Sequence, residues 1–435
     1  MKRLRYYLRL LGAFVTRFKF IIIFGVIVGF LVALFSAVIF PRVINNNTKR
    51  VGLVGRYHVD NLPIDVVNLV SGGLTGYSAD GSSVPLLADN WQTDDGKAWT
   101  FRIKADVEWQ DGTAVTPQDV IYEFTDVEIQ RPDESTIVFH LKEPFSPFPS
   151  VVSKPLFKKG LIGFGEWSVD KIRLSGSYVN SLSLKSDNGN IDFKFFPNEE
   201  RAKLAYKLGK VDRLEGLLDP SPFGSWERTQ TVSAPDKYKV VALLFNTEDP
   251  LLSDKSVRQG LTYGIDKSFD QTRAISPISP SSWAYNPQVK NYAFDTERAK
   301  DLLSNVPDEL KSIPIKIAST PGLLTIAEEI EKYWEDLGFE VEVQVTSLIP
   351  SEYQSYLTII DIPKDPDQYP YWHSTQVSSN LTKLSNPRID KLLEDGRAEI
   401  NQEKRKKIYF DFQRFLLEEA PAVFLYHPQI YSIQR

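Results

Sequence analysis

One stretch in the C-terminal half constrains the fold more than any other, because it switches between two apolar periodicities. In residues 313–317 isoleucine occupies every second position, as in a β-strand. After Pro321-Gly322, the apolar residues of 326–337 follow helical spacing, and Gly338 suits a helix C-terminus. Alternation then resumes over residues 339–345. The pattern predicts a strand–helix–strand unit and therefore an α/β lobe.

Other elements are predicted from their caps and their alternation. Asn386-Pro387 and Asn401 each have the features of a helix start, and the second helix must end before Pro421. The stretch 422–433 is predicted to be a strand.

The N-terminal half has a different pattern. Residues 99–103 and 136–141 alternate like strands, and between them Thr116 is predicted to open a short helical segment with Val120, Ile121 and Phe124. This predicts a smaller α+β insertion.

An apolar run occupies residues 20–40, and Ser36 is its only polar side chain. As an α-helix it would span about 30 Å, the thickness of a bilayer's hydrocarbon core. The cations that precede it are Lys2, Arg3, Arg5, Arg9, Arg17 and Lys19. The positive-inside rule predicts a cytoplasmic basic N-terminus over 1–19, a single-pass transmembrane signal anchor over 20–40, a tether over 41–50 and an extracytoplasmic remainder. Because no clear cleavage site follows, an uncleaved anchor in the cell membrane is favoured over a cleaved signal peptide.

Composition excludes several kinds of site. The chain has no cysteine, which excludes disulfides, Cys-ligated metals and a thiol nucleophile. No two histidines have the spacing of a helical metal site, so no metal and no cofactor is predicted. Six of the 51 basic residues precede the apolar run, which leaves 45 against 56 acidic residues in the exported part. That balance disfavours nucleic acid as a partner.

Several short motifs occur in one order along the chain, and together they resemble family 5 of the bacterial extracellular solute-binding proteins, the oligopeptide- and dipeptide-binding type. They are LLADNW (86–91), WTFRI (99–103), VEWQDGT (107–113), TPQDVIY (116–122), FNT with SDKSVR and ID (245–247, 253–258, 265–266), DPD (365–367), SNPRIDKLL (385–393) and PAVFLY (421–426). Two helix alanines of the family pattern are Gly260 and Gly264 here.

The resemblance implies an α/β, two-lobed, periplasmic-binding-protein-like fold of type II, in the large three-domain variety. Lobe I is expected over 51–240, with the insertion around 86–150, and lobe II over 241–420. The final stretch 421–435 is expected to return to lobe I as a strand. The implied function is a receptor that binds di- or oligopeptides between its lobes and delivers them to the permease of an ABC importer.

The best candidate site is the segment 361–373, which follows an apolar strand-like run, since open α/β sheets bind ligands at strand ends. Its alternative is a surface loop held by prolines and Asx turns. The predicted ligand-binding residues are Asp361, Trp372, Tyr369, Asp365, Thr358, Ile360, Asp60, Asn61 and Asn246.

Each of these residues has an expected role. Peptide receptors of this type hold the ligand's ammonium with an aspartate at the position of Ile362, so adjacent Asp361 is the candidate replacement. Trp372 and Tyr369 would pack on the ligand, and Trp372→Ala is expected to weaken binding without affecting the fold. The backbone of 358–360 would pair with the ligand as an added strand. The loop of Asp60 and Asn61 would supply opposing contacts, or be a plain connection, and Asn246 is equally a turn residue near the hinge.

No catalytic residues are predicted. Residues 76–80 (GYSAD) fail the nucleophile-elbow pattern, and 160–165 (GLIGFG) lacks the lysine of a phosphate-binding loop. Two alternatives remain open: a membrane-anchored hydrolase of the cell envelope, and a degenerate solute-binding module with an interaction or sensory role. The ligand could also be a nickel complex, an oligosaccharide or another small solute.

Overall fold

A computed structural model describes residues 14–21, 23–30, 32–33, 48–350 and 352–435. The described residues before position 34 are helical. Within the described ranges, no helix has the length and apolar character needed to cross a bilayer. The predicted anchor also takes in residues 22, 31 and 34–40, which lie outside the described residues, as do residues 1–13 and most of the predicted tether.

The strands in chain order are β1 Thr48–Val54, β2 Thr75–Tyr77, β3 Ser83–Pro85, β4 Ala88–Gln92, β5 Ala98–Ile103, β6 Glu128–Gln130, β7 Thr136–His140, β8 Ser168–Ser175, β9 Tyr178–Ser186, β10 Gly189–Phe196, β11 Arg213–Leu217, β12 Gln230–Pro235, β13 Lys239–Phe245, β14 Thr272–Arg273, β15 Ile315–Ser319, β16 Val341–Val345, β17 Ser355–Asp361, β18 Ala422–His427 and β19 Gln429–Gln434. From residue 48 onward the α-helices are α1 Ile64–Val70, α2 Phe148–Val151, α3 Glu199–Lys207, α4 Lys255–Tyr263, α5 Thr296–Leu303, α6 Asp308–Lys311, α7 Leu324–Glu335, α8 Tyr369–Trp372, α9 Pro387–Ala398 and α10 Gln402–Glu419.

The strands form two large sheets and two small ones. A seven-stranded sheet has the order β12-β19-β11-β1-β10-β9-β8 and forms lobe I. A six-stranded sheet, β14-β18-β13-β17-β15-β16, forms lobe II. Its central strand β13 is buried on both faces, with Val240, Ala242 and Leu244 in one core and Val241 and Leu243 in the other. Helices cover both faces, as expected of an α/β layer.

A small domain projects from lobe I and contains the four-stranded sheet β4-β5-β7-β6. Its core is aromatic, with Phe101, Phe139 and Phe148 fully or almost fully buried. The helical segment predicted to start at Thr116 is only a 3-10 turn at Pro117–Asp119, because the chain is already extended at Val120. The predicted strands around it form, as β5 and β7.

The strand–helix–strand prediction is confirmed by β15, α7 and β16, in which the two strands pair in parallel. Ile330 and Trp334 are fully buried on the inner face of α7. Gly338 has φ +88°, so it supplies the left-handed conformation that follows the end of α7, before β16 begins. Asn386 and Asn401 cap α9 and α10 by accepting hydrogen bonds from backbone N–H groups.

Two chain segments connect the lobes side by side. Asp236 to Tyr238 lead from β12 to β13, and Pro428 separates β18 from β19. The Asp236 N–H donates to the Pro428 carbonyl at 2.9 Å, so the two crossings are hydrogen-bonded to each other. The single strand predicted for 422–433 is therefore two strands. β18 pairs within the lobe II sheet, and only β19 pairs within the lobe I sheet, because Pro428 has no N–H to continue a ladder.

Candidate functional site

The C-terminal half of β17 has one unpaired edge. β13 pairs with β17 along its whole length, whereas β15 pairs only as far as Leu357. The Thr320 N–H donates to the Leu357 carbonyl on the β15 side, and the Ile362 N–H donates to the Tyr238 carbonyl on the β13 side. Because backbone groups alternate between the two edges of a strand, the N–H and C=O of Ile359 and Asp361 face the edge where no described strand lies.

A cavity of about 340 Å³ lies against this part of the sheet. Thr358, Ile360 and Ile362 line it from β17 and the residue after it, and most of the remaining lining is apolar. The other lining residues are Val240, Leu244, Pro277, Ile349, Tyr356, Ile359, Asp361, Gln368, Tyr371, Trp372, Ser378, Ser379, Leu381, Thr382 and Phe424. The strand thus offers backbone hydrogen bonds along its edge and an apolar pocket on its face, which suits a ligand bound in an extended form.

Asp361 lines this cavity but is already paired. The Lys239 ammonium donates to its carboxylate at 2.7 Å, and the two side chains are 39% and 79% exposed. Burial lowers the pKa of Lys239, but the hydrogen bond and charge of Asp361 outweigh it and leave that pKa raised. Ile362, where the resemblance would place an aspartate, is buried in the core of lobe II. The Asp361 carboxylate is therefore paired within the protein.

The two aromatic residues of the predicted site lie differently. Trp372 borders the cavity, yet it is only 3% exposed, packs edge-on against Phe424 and donates from Nε1 to Gln368 at 3.1 Å. It is a core residue of lobe II, so the expectation that Trp372→Ala leaves the fold unaffected is not supported. The Tyr369 ring stacks on the His373 ring, with their centroids 4.0 Å apart, and Tyr369 does not line the cavity.

A second cavity, of about 860 Å³, lies between the lobes. Most of its lining comes from lobe I and the small domain, and Lys364 reaches it from lobe II. The lining residues are Ile64, Asn68, Ser71, Gly72, Thr75, Gly76, Tyr77, Leu86, Lys104, Val107, Ser150, Val151, Ser153, Lys154, Phe164, Gly165 and Lys364. Gly81 fixes the approach of the two lobes, since the Lys364 carbonyl oxygen lies 2.5 Å from where its Cβ would be.

The family model described as bacterial extracellular solute-binding proteins, family 5 Middle, matches residues 82–181 and 185–379. The chain belongs to this family. The resemblance carried by the sequence motifs is thereby confirmed, and with it a solute-binding role outside the cytoplasm. Members of the family are binding proteins rather than enzymes.

Relatives of this family 5 protein cover most of its length. The dipeptide-binding protein of Escherichia coli (strain K12) is 22% identical in an alignment 445 positions long, which covers 80% of this chain and 82% of that protein. NikZ from Campylobacter jejuni, solved in complex with Ni(L-His), superposes with a TM-score of 0.75 at 22% identity, over 89% of this chain and 94% of that chain. AppA from Bacillus subtilis, solved with a nonapeptide, gives a TM-score of 0.70 at 18% identity, again over 89% and 94%. These superpositions confirm the two-lobed α/β fold.

In this family 5 protein, the remaining residues predicted to bind the ligand lie away from the apolar cavity. Asp60 and Asn61 lie in an exposed 3-10 turn, where the Asn61 side chain accepts from the His58 N–H at 2.6 Å, and neither lines a cavity described above. Asn246 directly follows β13, at the other end of that strand from Lys239. Its Nδ2 donates to the Tyr353 carbonyl at 3.0 Å. Asp365 is bound to Arg405. The structure therefore groups Asp361, Thr358, Ile360 and Trp372 and separates the others from them.

Sequence reasoning missed the lysines of the larger cavity, Lys104, Lys154 and Lys364. They come from three distant segments of the chain, and Lys364 alone lies inside the candidate segment 361–373, where no role was assigned to it. The role of Ile359 could have been predicted from the alternation of the strand. Successive residues of a strand direct their backbone groups to opposite edges, so the N–H and C=O of Ile359 face the edge opposite to those of Thr358 and Ile360.

Proposed function

We propose that this protein is the extracytoplasmic receptor of an ABC importer, which binds a short peptide between its two lobes and delivers it to the permease. The peptide class comes from its relatives, which include the dipeptide-binding protein of E. coli and the di/tripeptide-binding proteins of Pseudomonas aeruginosa. Catalysis has no part in the proposal, because the importer's ATPase supplies the energy for transport.

The observation that carries the proposal is the open edge of β17 beside the apolar cavity. A peptide lying along Ile359 and Asp361 would add a strand to the six-stranded sheet, and its backbone would satisfy the N–H and C=O groups that face that edge. One side chain would enter the cavity lined by Thr358 and Ile360. Backbone pairing gives affinity without regard to sequence, which suits a receptor for many peptides.

Lobe closure would depend on the paired crossings at Asp236–Tyr238 and Pro428. From residue 48 onward, the described chain passes between the two sheets at these two short segments, so rotation of one lobe changes few backbone dihedrals. The peptide binds to both lobes only when they are closed, and it therefore shifts the equilibrium toward the form that the permease recognises.

We also propose that the N-terminal apolar segment anchors the receptor in the membrane. Phe20, Ile21 and Phe24 are 76%, 68% and 68% exposed. A helix with such side chains is more stable in hydrocarbon than in water. An anchor keeps the receptor near its permease and raises its effective concentration there. Fractionation of cells that express the full chain tests this proposal, which fails if the protein is released by osmotic shock without detergent.

Incubation with a mixed pool of short peptides, followed by native mass spectrometry, tests the binding function. Retained intact peptides support a receptor, cleaved products support the hydrolase alternative, and an empty protein supports an interaction or sensory module. Thr358→Leu should lower affinity by narrowing the cavity. Thr136→Leu, at a half-buried strand position in the small domain, is the matched control.

The strand-addition mode has its own test, because only every second amide of an added strand faces β17. Two versions of a retained peptide are compared, with N-methyl groups on alternate amides and the set shifted by one residue between them. One version should lose most of its affinity and the other should keep it. Equal affinities would exclude pairing with the β17 edge.

A further inference from the structure

The larger cavity is positively charged although the chain as a whole is acidic. Lys104, Lys154 and Lys364 line it, and no Asp or Glu is among its lining residues. The full chain has 56 acidic against 51 basic residues, so a cavity with three lysines and no carboxylate departs from the average of the molecule.

These three lysines differ from their neighbours in having no carboxylate partner. Nearby Lys158 pairs with Asp111 at 2.7 Å, and Lys239 pairs with Asp361 at the same distance. Among the residues that the structure describes, no ion pair is formed by Lys104, Lys154 or Lys364. The Lys364 ammonium lies 4.9 Å from the Tyr77 ring centroid, a contact that leaves it able to bind an anion.

Neutral hydrogen-bonding groups complete the lining near these charges. The Tyr77 hydroxyl lies 2.7 Å from the Ser150 hydroxyl, and the Ser153 hydroxyl donates to the Tyr77 hydroxyl at 3.0 Å. Hydroxyls and ammonium groups together are the donors that a carboxylate needs when it leaves water.

The two cavities lie close to each other. Asp361 borders the apolar cavity and Lys364 borders the larger one. Three residue steps separate them, which is about 11 Å at most for an extended chain. A solute with the length of a short peptide is therefore long enough to reach from one of these residues to the other.

We infer that the transported solute is recognised by a carboxylate placed among Lys104, Lys154 and Lys364, and that a free ammonium group is not required. This inference rests on the proposed receptor function. Among the described residues that line the apolar cavity, Asp361 alone carries a carboxylate, and it is already paired with Lys239, so a ligand ammonium would have to displace an internal one. A ligand carboxylate, in contrast, meets unpaired cations.

The arrangement also couples binding to closure. Lys364 comes from lobe II, whereas Lys104 and Lys154 come from the side of lobe I. Without an anion, closing the lobes brings like charges together, which costs energy. A bound carboxylate removes that repulsion, so it favours the closed form over the open one.

The test uses a pool of short synthetic peptides, each prepared with free or acetylated N-terminus, with free or amidated C-terminus, and with Glu or Gln at one position. The full chain is incubated with the pool, and the retained forms are quantified by mass spectrometry. We expect acetylated and free N-termini to be retained equally. We expect the amidated Gln form to bind about tenfold more weakly than forms with a carboxylate. The amidated Glu form distinguishes a side-chain carboxylate from a terminal one.

Protein variants locate the carboxylate. The triple variant Lys104→Gln, Lys154→Gln, Lys364→Gln should lose the preference for carboxylate forms. The matched control Lys49→Gln, Lys171→Gln, Lys316→Gln changes net charge equally at exposed positions outside both cavities and should keep that preference.

The possible outcomes separate this inference from the proposed function. Retention that requires a free N-terminus, or that ignores amidation in the Gln series, overturns the inference and leaves the receptor function standing. A triple cavity variant that keeps the carboxylate preference also overturns it. If no peptide is retained in any form, the receptor function for peptides itself fails, and this inference fails with it.

Discussion

The Arg405 guanidinium donates to both carboxylate oxygens of Asp365, at 2.6 and 2.9 Å. The two side chains are 6% and 16% exposed, so this ion pair lies inside lobe II. Burial lowers the pKa of Arg405, but the charge of Asp365 outweighs it and leaves that pKa raised. Asp365 therefore holds α10 against the loop after β17 and is not available to a ligand.

Asp365→Asn should destabilise the protein by about 3–5 kcal/mol, because it leaves a buried guanidinium without its counter-charge. Urea unfolding followed by circular dichroism measures the change. Asp60→Asn, at an exposed position, should change the unfolding free energy by less than about 0.5 kcal/mol. A similar stability of the two variants would show that the ion pair contributes nothing to the fold.

The example of Asp365 shows how far the sequence could lead. Periodicity and caps predicted β15, α7 and β16 and the starts of α9 and α10, because each depends on residues close in sequence. The segment after β17 was also recognised as important. Within this segment, Asp365 has a structural role and Asp361 borders the cavity. The first role depends on Arg405, 40 residues from Asp365, and the pairing of Asp361 depends on Lys239, 122 residues away. No local pattern encodes such partners, and the lysines of the larger cavity were missed for the same reason.

Trp372→Ala should lower the free energy of unfolding by about 3–5 kcal/mol, since it removes a large side chain from the lobe II core. Trp372→Phe should cost less, because it keeps the aromatic contact with Phe424. Chemical denaturation measures both. Trp226→Ala, at a tryptophan that is 40% exposed, is the control and should cost less than Trp372→Ala. Equal losses at the two positions would contradict the placement of Trp372 in the core.

Gly260→Ala should destabilise the protein, although alanine favours a helix by about 1 kcal/mol over glycine. A Cβ at Gly260 would lie 2.7 Å from Leu303, so α4 and α5 could not keep their separation. The expected net loss is about 1–2 kcal/mol. In a double-mutant cycle, the double variant Gly260→Ala, Leu303→Ala should lose less stability than the sum of the two single variants, since the smaller side chain at 303 removes the clash. Additive losses would exclude that contact as the cause.

His427 should make stability depend on pH below neutrality. It is buried beside the lobe crossing, and one ring nitrogen, Nδ1, lies 2.7 Å from the Lys239 carbonyl. Burial lowers its pKa below the ordinary value of 6.5, despite that hydrogen bond. Between the lowered pKa and 6.5 the unfolded chain binds more protons than the folded one, so stability is lost as the pH falls through this window.

The measurement compares urea unfolding of the wild type and His427→Gln from about pH 7 to pH 5. Glutamine can still donate to the Lys239 carbonyl but does not titrate, so the variant should lose less stability on acidification. His58→Gln, at a histidine outside the cores, should follow the wild type. Because His427 adjoins Pro428 and the crossing, its protonation should also loosen the contact between the lobes. Parallel pH profiles for the wild type and His427→Gln would exclude this residue as the source of the acid sensitivity.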